Sequence, residues 1–421
     1  MGKDESRGRL RRGRRFQRFS RVFSKAGLSG LSSQVYILVF LGFLFSLGRN
    51  IAFSYLAVFL AGKTLSGGLA FDPSLVGLML TIGGLANTFA LPMAGHLCDR
   101  FGRKRMMLFS LIPQIALTVG FAYVRAYAEF LLLYTALAIV MALYQPAHSA
   151  MIADLVEPEK REHAYGFDYM IGNVGFMVGL PVGGLIASTS GFSVLYFYCA
   201  VLVGAAAAGV SLLIRESKPE QGSNAPSIAV ASVFRNKVFM LFCLMMFFTN
   251  FLYAQFYSLL SVYTEHLGFE PYVFGTLSSI AGAMVVTLQV PIRLSTVRIG
   301  PAKAFIIAQT LFATGFTCFM FASNFIEFLA AIAVLTLGEI TFYPAASAFA
   351  ANLAPADMLG RYIAVMGLFS GIGGSTASVA VFSIYGMLVN KATVWGIWGA
   401  LGFAALPGYF LLSKVTKNHK K

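Results

Sequence analysis

Gly95-His96-Leu97-Cys98-Asp99-Arg100-Phe101-Gly102-Arg103-Lys104-Arg105 sets one acid among four bases in a turn too short to be a domain. One apolar segment, residues 74–94, runs into it, and another, Met106 to Tyr123, leaves it. Charge confined to a short turn between two greasy segments predicts a tight helical hairpin at a membrane surface.

The totals agree. With 57% hydrophobic and 12% charged residues, a chain of 421 residues has too little polar surface to cover a soluble fold. Counting stretches of about 20 apolar residues, the length that crosses the hydrocarbon layer, gives twelve spans: 33–61, 74–98, 106–124, 128–153, 163–188, 192–214, 236–264, 272–292, 302–322, 326–353, 360–388 and 393–413. The expected fold is therefore an all-α integral membrane protein.

A net charge of +15 invites a nucleic-acid reading, and the placement of the bases argues against it. If the N-terminus is cytoplasmic, 28 of the 32 Lys and Arg fall on that side; Lys63, Arg125 and Lys391 fall on the other, and Arg49 lies inside a span. That asymmetry is the positive-inside rule. It predicts cytoplasmic termini in a plasma-membrane protein whose basic tail lies on anionic headgroups. No nucleic-acid partner is expected, and the chain is expected to act as a monomer. Cys98, Cys199, Cys243 and Cys318 stand singly, without metal spacing, and read as packing residues. No metal, cofactor or enzymatic constellation is expected.

An internal repeat organises the chain at an offset of 198 residues (269 − 71). Phe71-Asp72-Pro73 returns as Phe269-Glu270-Pro271, Arg100-Phe101-Gly102 as Arg298-Ile299-Gly300, and Pro146-Ala147-His148-Ser149-Ala150 as Pro344-Ala345-Ala346-Ser347-Ala348. The predicted domains are a basic tail (1–32), a six-helix half (33–214), a polar linker (215–235), a second six-helix half (236–413) and a basic tail (414–421).

With these residues in hand, the chain resembles the major facilitator superfamily, and the opening stretch is similar to that family's signature between the second and third spans. Gly95, Asp99, Arg100, Gly102, Arg103 and Lys104 match it in order; the second half has Val297 where Asp99 would recur. The resemblance implies two bundles rocking about a central site. In it, Asp99 meets the N-terminal end of the eleventh span near Gly360 and Arg361, and Arg103 reaches Asp154, as a latch between halves. Gly175, Gly179, Pro181, Gly183 and Gly184 in the fifth span resemble the Gly/Pro signature of proton-linked drug exporters, with Pro181 one place late. Plain helix packing explains the same residues. That branch also carries an Arg in its fourth span; this chain has Tyr134 near that position and no base in the span.

Three ionisable residues fall inside spans: Arg49, Asp168 and Glu339. A mid-bilayer charge costs at least ~2.5–3.5 kcal/mol, more than the ~1 kcal/mol of a typical hydrogen bond, so each must face protein or water. Arg49 and Glu339 lie at similar depth, ~21–24 Å from the cytoplasmic ends of their helices at ~1.5 Å per residue. They read as substrate contacts, as a proton site, or as a gate between halves. Asp168 is shallower, either a proton acceptor or a partner for His163, Arg161 or a helix-end amide. His148 reads as a packing histidine. Asn250, Tyr253 and Tyr257 share a helical face, and with Asn50 and Tyr55 they are expected to line an aromatic, amide-bearing pocket.

The expected function is alternating-access secondary transport, by proton-coupled export of small apolar or cationic compounds, with Glu339 and then Asp168 as proton carriers. One alternative is an anionic metabolite held by Arg49. The other is a lipid-handling or sensor protein without proton-coupled transport.

Overall fold

The computed structural model describes residues 31–62, 67–157, 160–217, 233–254, 256–355 and 358–418. Every regular element among them is a helix, and twelve spans are long and apolar enough to cross a bilayer. In chain order they are α1 (Ser33–Phe53 and Leu56–Ala61), α2 (Pro73–Phe101), α3 (Arg103–Tyr123), α4 (Tyr127–Ala142 and Tyr144–Leu155), α5 (Arg161–Ser190) and α6 (Phe192–Leu213). The second half holds α7 (Lys237–Tyr253 and Phe256–His266), α8 (Pro271–Ile299), α9 (Pro301–Phe321), α10 (Phe325–Leu353), α11 (Leu359–Met387) and α12 (Thr393–Ala404 and Leu406–Asn418).

Local chemistry explains where the helices stop. A single glycine joins α2 to α3 and α8 to α9: Gly102 and Gly300 adopt φ of 94° and 82°, which an L side chain resists. Asp72 caps α2 by accepting a hydrogen bond from the Ser74 amide at 2.8 Å, with Pro73 at the first helical position. The expected unbroken spans 33–61, 128–153, 236–264 and 393–413 are each two segments. In α4 the break at Leu143 follows from Pro146, which has no N–H to give the preceding turn. Its repeat counterpart Pro344 sits in an α10 that runs through unbroken.

The halves meet along two long seams, α2 on α11 and α5 on α8. Glycines let the backbones touch. A Cβ on Gly77 would come within 2.5 Å of the Ser378 carbonyl, and one on Gly275 within 2.6 Å of the Leu180 carbonyl. Thr81 donates to the Ser375 carbonyl (2.8 Å) and Ser279 to that of Met177 (2.7 Å). All of these contacts lie toward the end of the bundle opposite the termini. Of the linker, 215–217 and 233–235 are described, and Arg215 to Ser217 packs on the first half; 218–232 lies outside the described residues, as does the tail 1–30.

Candidate functional site

Between α1, α2, α4, α7 and α11 lies a cavity of about 480 Å³. Arg49, Asn50, Asn87, Thr88, Tyr134, Asn250 and Ser375 give it polar walls. Asn50 is oriented by its bond to the Ser46 carbonyl (2.7 Å), and Asn250 accepts from the Tyr343 hydroxyl (3.2 Å). Arg49 projects into this space. Its electrostatic neighbours are Tyr134 and Cys199, and among the described residues it makes neither an ion pair nor a hydrogen bond to a carboxylate. Among the described residues lining this cavity the cation is Arg49, from α1, and α4 contributes Tyr134.

Glu339 occupies the middle of α10 in different surroundings. Tyr253, Tyr257, Tyr343 and Tyr169 all lie within electrostatic reach of its carboxyl. Tyr253 is buried among Phe312 and Tyr343, ring centroids 5.2 and 5.9 Å away, and its hydroxyl is directed at the Glu339 carboxyl with Tyr257 beside it. Tyr257 meets Phe176 of the other half edge-on at 5.5 Å. The result is an acid in an aromatic cage without a basic partner among the described residues, where Arg49 and Glu339 do not pair. Tyr253 and Tyr257, expected to line one pocket with Asn50 and Asn250, are not among the residues lining that cavity and stand beside Glu339 instead. Tyr343, four residues after Glu339 and so on its helical face, carried a spacing signal unread; Tyr169 comes from another span and carried none.

Asp168 finds none of its expected partners among the described side chains; that of His163 lies outside them. It accepts a hydrogen bond from His148, 2.8 Å from Oδ1 to Nε2. His148 is therefore a polar element of the first half rather than simple packing.

The signature turn is tied down by contacts within its own half. Arg103 donates from Nε to Asp154 at 2.9 Å and from a terminal nitrogen to the Cys98 carbonyl at 3.1 Å. Ser217 also donates to Asp154 (2.7 Å), and Glu216 accepts from the Lys104 and Arg105 amides at 2.9 and 3.2 Å. The Lys104 ammonium bonds the Ser211 carbonyl (2.7 Å). An acid at the positive start of α3 is favourable, and Glu216, at the edge of the expected linker, was missed because nothing in its spacing marks it. Arg103 reaches Asp154 as expected. The expected contact of Asp99 with the start of α11 falls outside the described side chains, as does that of Gly360; Gly95 and Arg100 lie on the last turns of α2.

Two further expectations change. Tyr55 does not line the cavity: it is fully buried, donates to the Leu180 carbonyl and packs edge-on against Phe274 at 5.5 Å, so it seals the two halves together. In α5 the glycines pack. A Cβ on Gly175, Gly179 or Gly183 would strike α1, and one on Gly184 would lie 2.6 Å from Tyr272 of the other half. The helix runs unbroken through Pro181. Among the described residues no group of three or more His, Cys, Asp or Glu is placed to hold a metal.

The chain is 25% identical over 404 residues to the "Na(+), Li(+), K(+)/H(+) antiporter" of Planococcus maritimus, covering 86% of this chain and 90% of that protein. It is 25% identical over 224 residues to "Multidrug resistance protein 2" of Bacillus subtilis (strain 168), covering 50% and 56%. Among solved structures, peptide transporter POT in complex with sulfate superposes with a TM-score of 0.79 at 16% identity, over 93% of this chain and 95% of that one. At that identity the likeness concerns the fold. The Major Facilitator Superfamily model matches residues 38–378, and the chain, with its twelve helices in two seamed halves, belongs to that family of membrane transporters.

Proposed function

We propose that the protein is a proton-coupled exporter of small apolar or cationic compounds, in which Glu339 trades its proton for cargo. The observation that carries this reading is the Glu339 cage: an intramembrane carboxyl faced by Tyr253, Tyr257, Tyr343 and Tyr169, without a basic partner among the described residues. A carboxylate neutralised by a proton is far easier to enclose, and aromatic faces with an ionised acid attract organic cations. The antiporter and multidrug relatives support the same class. In this reading both termini are cytoplasmic, the protein works as a monomer in the plasma membrane, and the seams described above are the closed outer gate. In proteoliposomes with an imposed proton gradient, ethidium export is expected with the wild type and none with Glu339→Gln at equal protein insertion. Full export by the variant overturns the assignment.

One observation favours a second reading, transport of an anionic metabolite. Arg49 faces the cavity with no carboxylate to balance it among the described residues, and an intramembrane cation calls for a counter-ion. A thermal-shift screen separates the two: Arg49→Ala losing stabilisation by anions and retaining that by cations selects the second.

A further inference from the structure

His148 and Asp168 form a polar site on the first half that the cavity chemistry above does not use. His148 is 2% exposed. Its ring stacks on Tyr144 with centroids 5.3 Å apart, and the Tyr144 hydroxyl lies 3.3 Å from Nδ1 while Nε2 meets Asp168. On the α1 side Gly42 leaves no spare room, since a Cβ there would come within 2.9 Å of the imidazole Cε1. Of the two, Asp168 is the more open, its side chain 20% exposed against 3% for His148.

This arrangement accepts a proton without orphaning a polar group. With a neutral ring, Nε2–H donates to the carboxylate and the Tyr144 hydroxyl donates to bare Nδ1. With a charged ring, Nδ1–H donates to the same hydroxyl, which can also accept. The added proton cancels the charge of Asp168, a gain inside a membrane. The titratable groups within electrostatic reach of Asp168 are Tyr144 on α4 and Tyr165 on α5, and Tyr165 in turn has Arg161 and Asp154 near it. Arg103 of α3 is committed to Asp154. From α1 the facing residues are Gly42 and Phe45, which packs on Tyr144; the ionisable groups of α2 nearest this end are His96, Asp99 and Arg100 at its last turns.

The pair also has a mechanical position. At Leu143 the hydrogen-bond ladder of α4 is interrupted while the backbone stays helical (φ −75°, ψ −26°), and the segment after it, Tyr144–Leu155, is held to α5 through His148 and to α3 through Asp154. Just before the break, Tyr134 and Met141 line the central cavity. On α5, the residue after Asp168 is Tyr169, which faces Glu339.

We infer that His148 and Asp168 form a second proton-binding site, loaded from the termini side independently of Glu339, whose proton sets how the Tyr144–Leu155 segment is held. That this side is cytoplasmic rests on the proposed orientation; the proton site itself does not.

The test is infrared difference spectroscopy of the full chain in lipid nanodiscs between about pH 8 and pH 5, the histidine window. An imidazole-to-imidazolium change is expected in the wild type and in Glu339→Gln, reduced in Asp168→Asn and missing its His148 component in His148→Gln. Tyr144→Phe, which removes only the Nδ1 partner, keeps the change with a shifted midpoint. In ethidium-loaded proteoliposomes, His148→Gln and Asp168→Asn are expected to move the pH midpoint of export by about one unit, a tenfold change in proton concentration. Spectra of His148→Gln identical to wild type overturn the inference. Export surviving in Glu339→Gln while the His148 signal behaves as described overturns the Glu339 reading instead. Should Asp168→Asn not insert, Asp168→Glu keeps the carboxyl and is expected to restore the signal.

Discussion

At the termini side the two halves turn from their second to their third helix on the same backbone and with different chemistry. Gly102 (φ 94°) donates its N–H to the Cys98 carbonyl, and Gly300 (φ 82°) donates to that of Thr296. Past the glycine the repeat parts company. Arg103 and Asp154 of the first half stand opposite Pro301 and Asn352 of the second, so one turn is pinned by an ion pair and by Glu216 while the other, with no ion pair among the described residues, starts its helix with proline. The same holds deeper. Arg49, His148 and Asp168 have Phe247, Ala346 and Met366 at the repeat positions, and Glu339 has Met141. The duplication supplies the packing frame, and the ionisable chemistry has been placed on it one half at a time.

If the frame is symmetric, insults to it should be symmetric. Gly77 on α2 and Gly275 on α8 occupy the same repeat position and admit the other half's backbone at the two seams. Gly77→Leu and Gly275→Leu should each wedge a seam open at an overpacking cost of ~1–3 kcal/mol, shifting the gate about 5- to 150-fold at tenfold per ~1.4 kcal/mol. Labelling of a Ser279→Cys reporter by an impermeant maleimide measures it, in a background lacking the native cysteines. Comparable acceleration by both variants supports equal seams; a response to one alone breaks the symmetry of the frame.

The ionic turn should instead respond on one side only. Arg103 is 7% exposed at its side chain and holds both Asp154 and the Cys98 carbonyl. Charge-assisted hydrogen bonds of this kind contribute ~1.5–3 kcal/mol. Arg103→Ala is therefore expected to lower the thermal midpoint of the purified protein by several degrees, whereas Lys303→Ala, near the corresponding turn, leaves it within error. Equal losses would mean that the second turn has ionic support of its own.

The frame was legible in sequence because it rests on periodic quantities: span length, repeat offset and the placement of Lys and Arg. The site was legible only where chemistry and spacing coincide on one helix. Asn250, Tyr253 and Tyr257, spaced along one face of α7, met that condition; Glu339 stood out as a charge inside a span, and the pairing of Arg103 with Asp154, on two helices, came from the family resemblance. Tyr55 misled because a tyrosine near Arg49 reads as cavity lining, whereas a local helix break at Ser54 and Tyr55 turns it onto α5 and α8. The pairing of His148 with Asp168 joins two helices across a proline break, and Glu216 binds a turn more than a hundred residues away; one chain carries no spacing signal for either.

Glycine substitution tests the same turns at smaller scale. Alanine at φ near +90° is strained by ~1–2 kcal/mol in either half, but only at Gly102 would the new methyl also meet a neighbour, the Glu216 carboxyl at 2.8 Å; at Gly300 nothing lies within 4 Å. Gly102→Ala should therefore lower the thermal midpoint more than Gly300→Ala. A reversed order would remove Glu216 from the account of the first turn.

The smallest expected contrast is at the opposite end, where the repeat places Asp72 and Glu270 before the prolines that open α2 and α8. Asp72 accepts from the Ser74 amide and hydroxyl, whereas Glu270, one methylene longer, makes no capping bond. Asp72→Ala should cost about 1 kcal/mol, as N-cap deletions do, and Glu270→Ala close to none. The Ser74 hydroxyl and amide hold the Asp72 carboxyl below its ordinary range, so the sign follows from linkage. A depressed carboxyl stabilises the fold above its unfolded value, near ~4, and that contribution fades as pH falls through the lower folded value. The difference in thermal midpoint between wild type and Asp72→Ala should be constant from neutral pH down to about 5 and shrink below about 4. A difference that persists undiminished into acid would assign the effect to the backbone at Pro73 instead of the carboxylate.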